Sequence, residues 1–534
     1  MTAVIPRPTS HTAQPGRLRS TGPWHVTAAD PALEPVAAVA AALLAPHLSV
    51  SATTAHADTP VPPRTLTLTL GAIARGPEPV GQSPQGDVEP VDESYELVVA
   101  PHGIDCRART PEGAFRAATT AIQLIAAAPG GELGCGIFHD APRYAWRGLM
   151  LDPARGYLAP DELRRLIDLA ALYKLNVLHL HLTDNEAWRL QLLDTPQLSA
   201  PGTHGTPWYT ADEYRDLQEY AATRFVTVVP EIDLPGHSAA LRAALPDLAD
   251  APMDDRVREF LGRLEGLVPF APPLDLADDA THDVVARILK EVCALTVGPY
   301  VHIGADEALG MTDENYAVAV QRLRDIVLAS GRQPLAWQEA SRAGVRPADI
   351  LQFWTRPSMM DAAGTQAAAA LGDIFDTLKE LFAPTEHDLA RIVAAGGRVI
   401  LSPQSHLYLD RPYDPSEVPE GQQADGARLG FPLYPPSTVR RTASWRPDSH
   451  GVPEANIAGI EATLFGETVE GMHDACVLLL PRLPGIAETA WAGNPAEWDE
   501  YQHRLAAQAV LWDARGLHYM ASRHVPWPTA GHGA

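Results

Sequence analysis

"KLNVLHLHLTDNEAWRL", residues 174–190, carries the apolar run Asn176–Leu182 and then, immediately after it, the acid Asp184. A short apolar run bounded by polar residues reads as a strand buried on both faces, the kind found in parallel sheets. From Tyr144 onward the pattern repeats. The runs are "WRGLMLD" (146), "NVLHLHL" (176), "VTVVPEID" (226), "YVHIGADE" (300), "PLAWQE" (334), "DILQFW" (349), "RVILSP" (398) and "IAGIEATLFGE" (457), each followed by a helix-like segment. Eight βα units in about 350 residues predict a (β/α)8 barrel with loop insertions.

Working outward, residues 1–140 mix short alternating strands ("TLTLTL" from Thr65, "SYELVVA" from Ser94) with helical stretches such as "GAFRAATTAIQLIAAA" from Gly113. This predicts a small α+β domain, followed by a barrel over 141–495 and a closing helix and tail over 496–534. The 534-residue chain carries a formal charge of -25, with Lys and Arg scattered, so nothing in it would neutralise a phosphate backbone or an anionic bilayer. Neither nucleic acid nor membrane is an expected partner. Cys106, Cys135, Cys293 and Cys476 lie far apart without CxxC spacing, which points to buried thiols. The opening "MTAVIPRPTSHTAQPG" has prolines and polar residues where a secretory signal needs a basic start and an apolar run, so a cytoplasmic location is expected.

In such a barrel, chemistry collects at the C-terminal ends of the strands, and several runs end in acids: Asp152, Asp184, Glu231 with Asp233, Asp306 with Glu307, Glu339 and Glu467. Any one of them could cap the next helix or pair with an arginine. Asp306 and Glu307 are the sharpest signal. Adjacent strand residues face opposite ways, and only at a strand's end can both reach one cavity. Paired carboxylates equip glycoside hydrolysis, and Trp337, Trp354, Tyr408, Trp445 and Phe465 near neighbouring strand ends supply faces for sugar rings. A rival reading takes His179 and His181 with His237, His302 and Asp184 as a metal site. Such sites draw HxH from the first strand, whereas this one falls on the second, which favours interior histidines bonded to acids. No metal or other cofactor is expected.

The motifs "APRYAWRGLMLDPAR", "KLNVLHLHLTDNEAWRL", "VPEIDLPGHSAA", "HIGADEA", "WQE", "YLD" and "LFGETV" resemble, in order and spacing, those of the β-N-acetylhexosaminidases, glycoside hydrolase family 20. The resemblance implies an exo-glycosidase acting on oligosaccharides or glycoconjugates with a terminal N-acetylhexosamine, using the substrate's own acetamido oxygen as nucleophile. It makes Glu307 the general acid and base, has Asp306 orient the acetamido N–H, and has Tyr408 bond its carbonyl oxygen. Trp337 and Trp354 would wall the acetamido pocket, and Trp445 would back the sugar ring. Arg147, Asp410 and Glu467 would hold the hydroxyls, and Asp184 with His237 would set the protonation of the acid. Phe465 stands where the family has Trp, which implies a looser pocket. The family's "GGDE", "DDQGW" and "DxxRHF" appear as "GADE", "DNEAW" and "DPARGY". A member specific for a different or longer glycone, or a sugar-binding protein without turnover, are the alternatives. The amphipathic stretch from Leu371 to Phe382, inside the long segment 359–384, is expected to be a lid, a partner-contact helix or packing on the barrel.

Overall fold

The computed structural model describes residues 3–54, 62–200, 207–264, 271–361 and 373–528. Seven strands form the N-terminal sheet: β1 (Ser10–Arg19), β2 (Trp24–Ala28), β3 (Val50–Thr54), β4 (Thr65–Leu70), β5 (Tyr95–Ala100), β6 (Gly103–Ala108) and β7 (Glu132–Asp140), in the order β1-β7-β5-β6-β4-β2-β3. Helices α1 (Glu34–Leu44) and α2 (Pro111–Ala126) pack against it. The Thr110 side chain caps α2 by accepting from Gly113 N at 3.0 Å, and its Ala- and Ile-rich body is buried almost throughout.

Eight parallel strands then close a barrel: β8 (Trp146–Leu151), β9 (Val177–His181), β10 (Thr227–Glu231), β11 (Tyr300–His302), β12 (Gln333–Trp337), β13 (Ile350–Phe353), β14 (Arg398–Leu401) and β15 (Ile457–Leu464), with β15 pairing β8. These are the eight apolar runs. One side chain from each strand, Trp146, Val177, Val229, Tyr300, Leu335, Ile350, Ile400 and Ala458, plugs the floor as a buried apolar layer. With the period of two along a strand, the layer above is largely polar, with His179, Glu231, His302 and Gln352 beside Trp337, joined by Glu461 after a register shift between β14 and β15. The strand ends above that layer form the mouth.

Charged groups buried at the seam join the two parts. Glu93 takes Arg116 at 2.7 Å and Arg147 at 2.6 Å, and Lys174 meets Asp140 at 2.8 Å. The two C-terminal helices, Trp498–Ala507 and Ala509–Ala514, return to the seam, where Arg504 pairs with Glu488 at 2.9 Å and donates to Val4 O. Among the described residues no helix is long and apolar enough to cross a membrane, and the four cysteines are buried and unpaired.

Candidate active site

β11 ends at His302, and the chain turns sharply through Gly304 (φ 67°), Ala305 (φ 76°) and Glu307 (φ 45°). Positive φ at two non-glycine residues costs roughly 1–2 kcal/mol each, and the surrounding structure must hold it. Asp233, which follows β10, supplies the hold: its Oδ1 accepts from Ala305 N at 3.0 Å, while Tyr316 donates to Ala305 O at 2.6 Å. A Cβ at Gly304 would stand 1.7 Å from Asp233 Oδ1, so only glycine fits there. The turn presents Asp306 and Glu307 to the same cavity.

His237 connects the acids. Its Nδ1 lies 3.1 Å from Asp184 Oδ1, and its Nε2 lies 3.5 Å from Glu307 Oε2, 3.9 Å from Asp233 Oδ2 and 4.0 Å from Asp306 Oδ1. Burial opposes its charge, but Asp184 and Asp233 raise it well above the usual histidine range, so the imidazole sits among four carboxyl groups that favour its cation. Asp184 is pushed up by burial and pulled down further by Arg155 and His237, ending well below the ordinary range. Asp306 goes the other way: burial first, then Asp233, raise it well above an ordinary aspartate. Asp306 Oδ1 and His237 Nε2 are buried with no hydrogen-bond partner among the described residues. Unsatisfied polar atoms facing a cavity mark a place built for a polar ligand.

An aromatic box stands beside this pair. Trp337 donates Nε1 to Glu231 at 2.7 Å, and Trp354 donates Nε1 to both oxygens of Glu339 at 3.1 and 3.2 Å, which fixes both indoles. Trp354 and Tyr408 lie nearly parallel, 14° apart with centroids at 6.3 Å, and Phe465 fills the angle 5.1 Å from Tyr408 and 6.3 Å from Trp337. Across the cavity, Asp410 has both oxygens buried and unpartnered among the described residues, and burial with Glu467 nearby pushes its carboxyl up to about 8. Glu467 is pushed up to about 7 by burial, against Arg155.

Two expected residues stand elsewhere. Arg147 lies near the start of β8 and, alternating with the floor residue Trp146, faces outward into the seam with the N-terminal part: fully buried, it bonds Glu93, Lys174 O and Tyr144 O. From there to Asp152 the strand runs roughly 16 Å towards the mouth. Arg155, just beyond that end, is the arginine at the mouth, with Nη1 2.8 Å from Asp152, Nη2 2.6 Å from Asp184 and its Cζ 5.6 Å over the Phe465 ring. Trp445 is buried in the barrel wall, its Nε1 on His450 Nε2 at 3.1 Å and His450 against Phe353, which faces away from the barrel interior. Tyr434 stands nearer the site, edge-on to Tyr408 at 6.0 Å. Phe382, the last residue of the helix Asp373–Phe382, packs edge-on to Trp354 at 5.7 Å, so one end of the long segment reaches the box. The rest of that segment's apolar face lies largely outside the described side chains, and Leu371 lies outside the described residues.

The interior histidines are engaged by acids. His179 faces Glu461 at 2.8 Å, His181 faces Glu231 at 2.7 Å and Asp184 at 2.8 Å, and His302 faces Glu231 at 3.0 Å. Burial would lower His179 and His181, yet these acids raise His179 to about 9 and His181 well above its usual range. His302 differs: burial outweighs Glu231 and lowers it below its usual range, so Glu231 sits between histidines of opposite tendency, and His179, Glu231 and His302 lie close enough to one another to share an ion.

The substitution of glycine for the family's histidine has a local reason. A Cβ at Gly156 would meet Val469 at 2.8 Å and Gly466 O at 3.0 Å, so the loop after β15 occupies that space.

A family profile described as "glycosyl hydrolase family 20, catalytic domain" matches residues 144–375 and 374–494, and "glycosyl hydrolase family 20, domain 2" matches 1–141. A β-N-acetylhexosaminidase of Cellulomonas fimi is 34% identical over 456 residues, covering 83% of this chain and 84% of the relative. Among solved structures, the Streptomyces plicatus N-acetyl-β-hexosaminidase in complex with thio-NAglucal superposes with a TM-score of 0.77 at 30% identity, covering 99% of this chain and 98% of that one. The β-N-acetylhexosaminidase of Streptomyces coelicolor A3(2) does so at 0.76 and 30%, covering 99% of each.

Proposed function

The chain belongs to glycoside hydrolase family 20, and on that premise we propose that it releases terminal β-linked N-acetylglucosamine or N-acetylgalactosamine from the non-reducing ends of glycans, with retention of configuration. The enzyme supplies no nucleophile. The acetamido carbonyl oxygen of the bound sugar attacks the anomeric carbon, and the bond to the aglycone oxygen breaks as Glu307 delivers its proton to that oxygen. An oxazolinium ion results. Glu307, now a carboxylate, takes a proton from water as the water's oxygen bonds to the anomeric carbon, and the ring opens to restore the acetamide.

Each neighbour has a part in this. Asp306 accepts the acetamido N–H and balances the positive charge that grows on the ring. It takes this part as a carboxylate, against the burial and the neighbouring Asp233 that raise its proton affinity, and the acetamido N–H favours the charged form. Tyr408 donates to the carbonyl oxygen, aiming it at the anomeric carbon, and Trp337, Trp354 and Phe465 enclose the methyl. The His237 cation, held by Asp184, stabilises Glu307 after it has given up its proton. Arg155, Asp410 and Glu467 hold the hydroxyls away from the scissile bond, and their closed cluster favours a chain end over an internal sugar.

The observation that carries the reading is the left-handed turn that sets Asp306 and Glu307 against one imidazole and beside one aromatic box. A nitrophenyl N-acetyl-β-glucosaminide tests it: turnover with the β-anomer of N-acetylglucosamine as first product is expected. No turnover, or the α-anomer first, would overturn it.

A further inference from the structure

Asn185 and Glu186 form the tip of a tight hairpin after β9, closed by the backbone bond from Asp184 N to Ala187 O at 2.9 Å and by the Thr183–Trp188 bridge. The hairpin is pinned on both flanks. Asp184 reaches Arg155, His181 and His237, and Asn185 Oδ1 accepts from Ala239 N at 3.1 Å. These bonds fix the Glu186 backbone, and its carboxylate faces the guanidinium: its Oε2 lies 3.5 Å from Arg155 Nε. That oxygen is buried without a hydrogen-bond partner among the described residues, while the side chain as a whole keeps 31% of its surface exposed.

Arg155 is thus surrounded on three edges. Nη1 belongs to Asp152, Nη2 to Asp184 and Nε faces Glu186, with Glu467 acting on it from the loop after β15. Each Nη has a second N–H, and these are the donors available to a sugar hydroxyl.

We propose that Glu186 is a positioning residue for Arg155, fixing through the Nε edge how the guanidinium is presented to the sugar hydroxyls; this rests on the sugar-holding role given to Arg155 above. The residue does not touch the reacting atoms, so it acts on binding and leaves the chemical step alone. It also makes the hold sensitive to protons. Burial, Arg155 pulling down and Asp184 pushing up together leave the Glu186 carboxyl at about 7. Above that pH the carboxylate draws Nε in and completes the cradle. Below it the neutral acid turns its proton to Asp184 and releases the edge. His237 and His181 reach Glu186 through Asp184, and Asp410 and Glu467, raised to about 8 and about 7, are present in parent and variant alike, so the comparison at each pH isolates Glu186.

The test is Glu186→Gln, an isostere of the protonated acid, compared with the parent at pH 5 and pH 8 on nitrophenyl N-acetyl-β-glucosaminide. An ion pair of this exposure supports a KM higher by roughly three- to fivefold in the variant at pH 8, with kcat unchanged and no difference at pH 5. In an Arg155→Lys background the same substitution is expected to add nothing further. Affinity for N-acetylglucosamine by calorimetry reads the same gap without turnover, so failure of the catalytic reading and failure of this one are told apart. Equal affinities at pH 8, a gap that persists at pH 5, or a loss confined to kcat would overturn the proposal.

Discussion

Replacing Arg147 and Arg155 in turn separates the arginine at the start of β8 from the one just past its end. Arg155→Ala removes the guanidinium that bonds Asp152 at 2.8 Å and Asp184 at 2.6 Å and, on our account, one hydroxyl of the sugar. A hydrogen bond to a charged group contributes about 1.5–3 kcal/mol, so kcat/KM should fall by roughly 10- to 150-fold from the sugar contact alone. A further loss in kcat follows because Asp184 no longer holds His237 in place. Arg147→Met leaves the mouth untouched but strips one of the two cations from buried Glu93. Breaking a buried pair costs about 3–5 kcal/mol. With ~2.1 cal/mol/K of unfolding entropy per residue over 534 residues, each kcal/mol moves the midpoint about 0.9 °C, giving a drop of roughly 3–5 °C. Kinetics with the aryl substrate and a thermal melt, run on both variants, decide the matter. A melt unchanged in Arg147→Met together with a tenfold rise in its KM, or parental kinetics in Arg155→Ala, would refute the assignment.

Glu307→Gln should abolish turnover of an oligosaccharide while a nitrophenyl leaving group retains more rate, because a good leaving group needs less protonation; equal losses would count against the acid role. Phe465→Trp should narrow the acetamido box and lower the relative rate on an N-propionyl sugar by about fourfold, one methylene's worth of burial, and unchanged selectivity would show that neighbours such as Phe382 set the limit. His450 accepts from Trp445 Nε1, and burial with Arg356 nearby lowers it to about 4. Its folded value lies below its unfolded one, so the stability it contributes is complete above about pH 6.5 and is lost as pH falls through 4. The melting midpoint should therefore drop over that window, less steeply in His450→Gln, and parallel slopes would remove His450 from the account.

The barrel was legible because its strands are buried on both faces and read as plain apolar runs, and the polar layer above the floor announced itself in "HLH" and "PEID". The placement of Asp306 and Glu307 together at a strand end was legible for a related reason: only past the end of such a run can two adjacent acids turn to one imidazole. Arg147 misled because its motif carries three arginines, Arg143, Arg147 and Arg155, and only Arg155 stands past the end of the strand. Strand direction was the available signal, since an arginine at the start of a parallel strand lies at the far end of the barrel from the mouth and one just past its end lies at the mouth. Trp445 and Tyr434 sit in long connections where no period reveals which aromatic turns inward, and the helical period that marks Phe382 as apolar does not say what it packs against. Asp233 and Glu339 could be seen as strand-end acids. Their tasks, bonding Ala305 N and fixing the Trp354 indole, depend on neighbours distant in sequence.

The account rests most directly on the sugar supplying its own nucleophile. The decisive measurement compares kcat at saturation for nitrophenyl N-acetyl-β-glucosaminide and for the β-glucoside that differs only in carrying a hydroxyl at carbon two. A positioned intramolecular group is worth on the order of 7–11 kcal/mol, so the glucoside should turn over slower by roughly five orders of magnitude or more, although the contacts of Arg155, Asp410 and Glu467 to its other hydroxyls remain. Comparable kcat values on the two sugars would contradict substrate assistance, and with it the roles given to Asp306 and Tyr408.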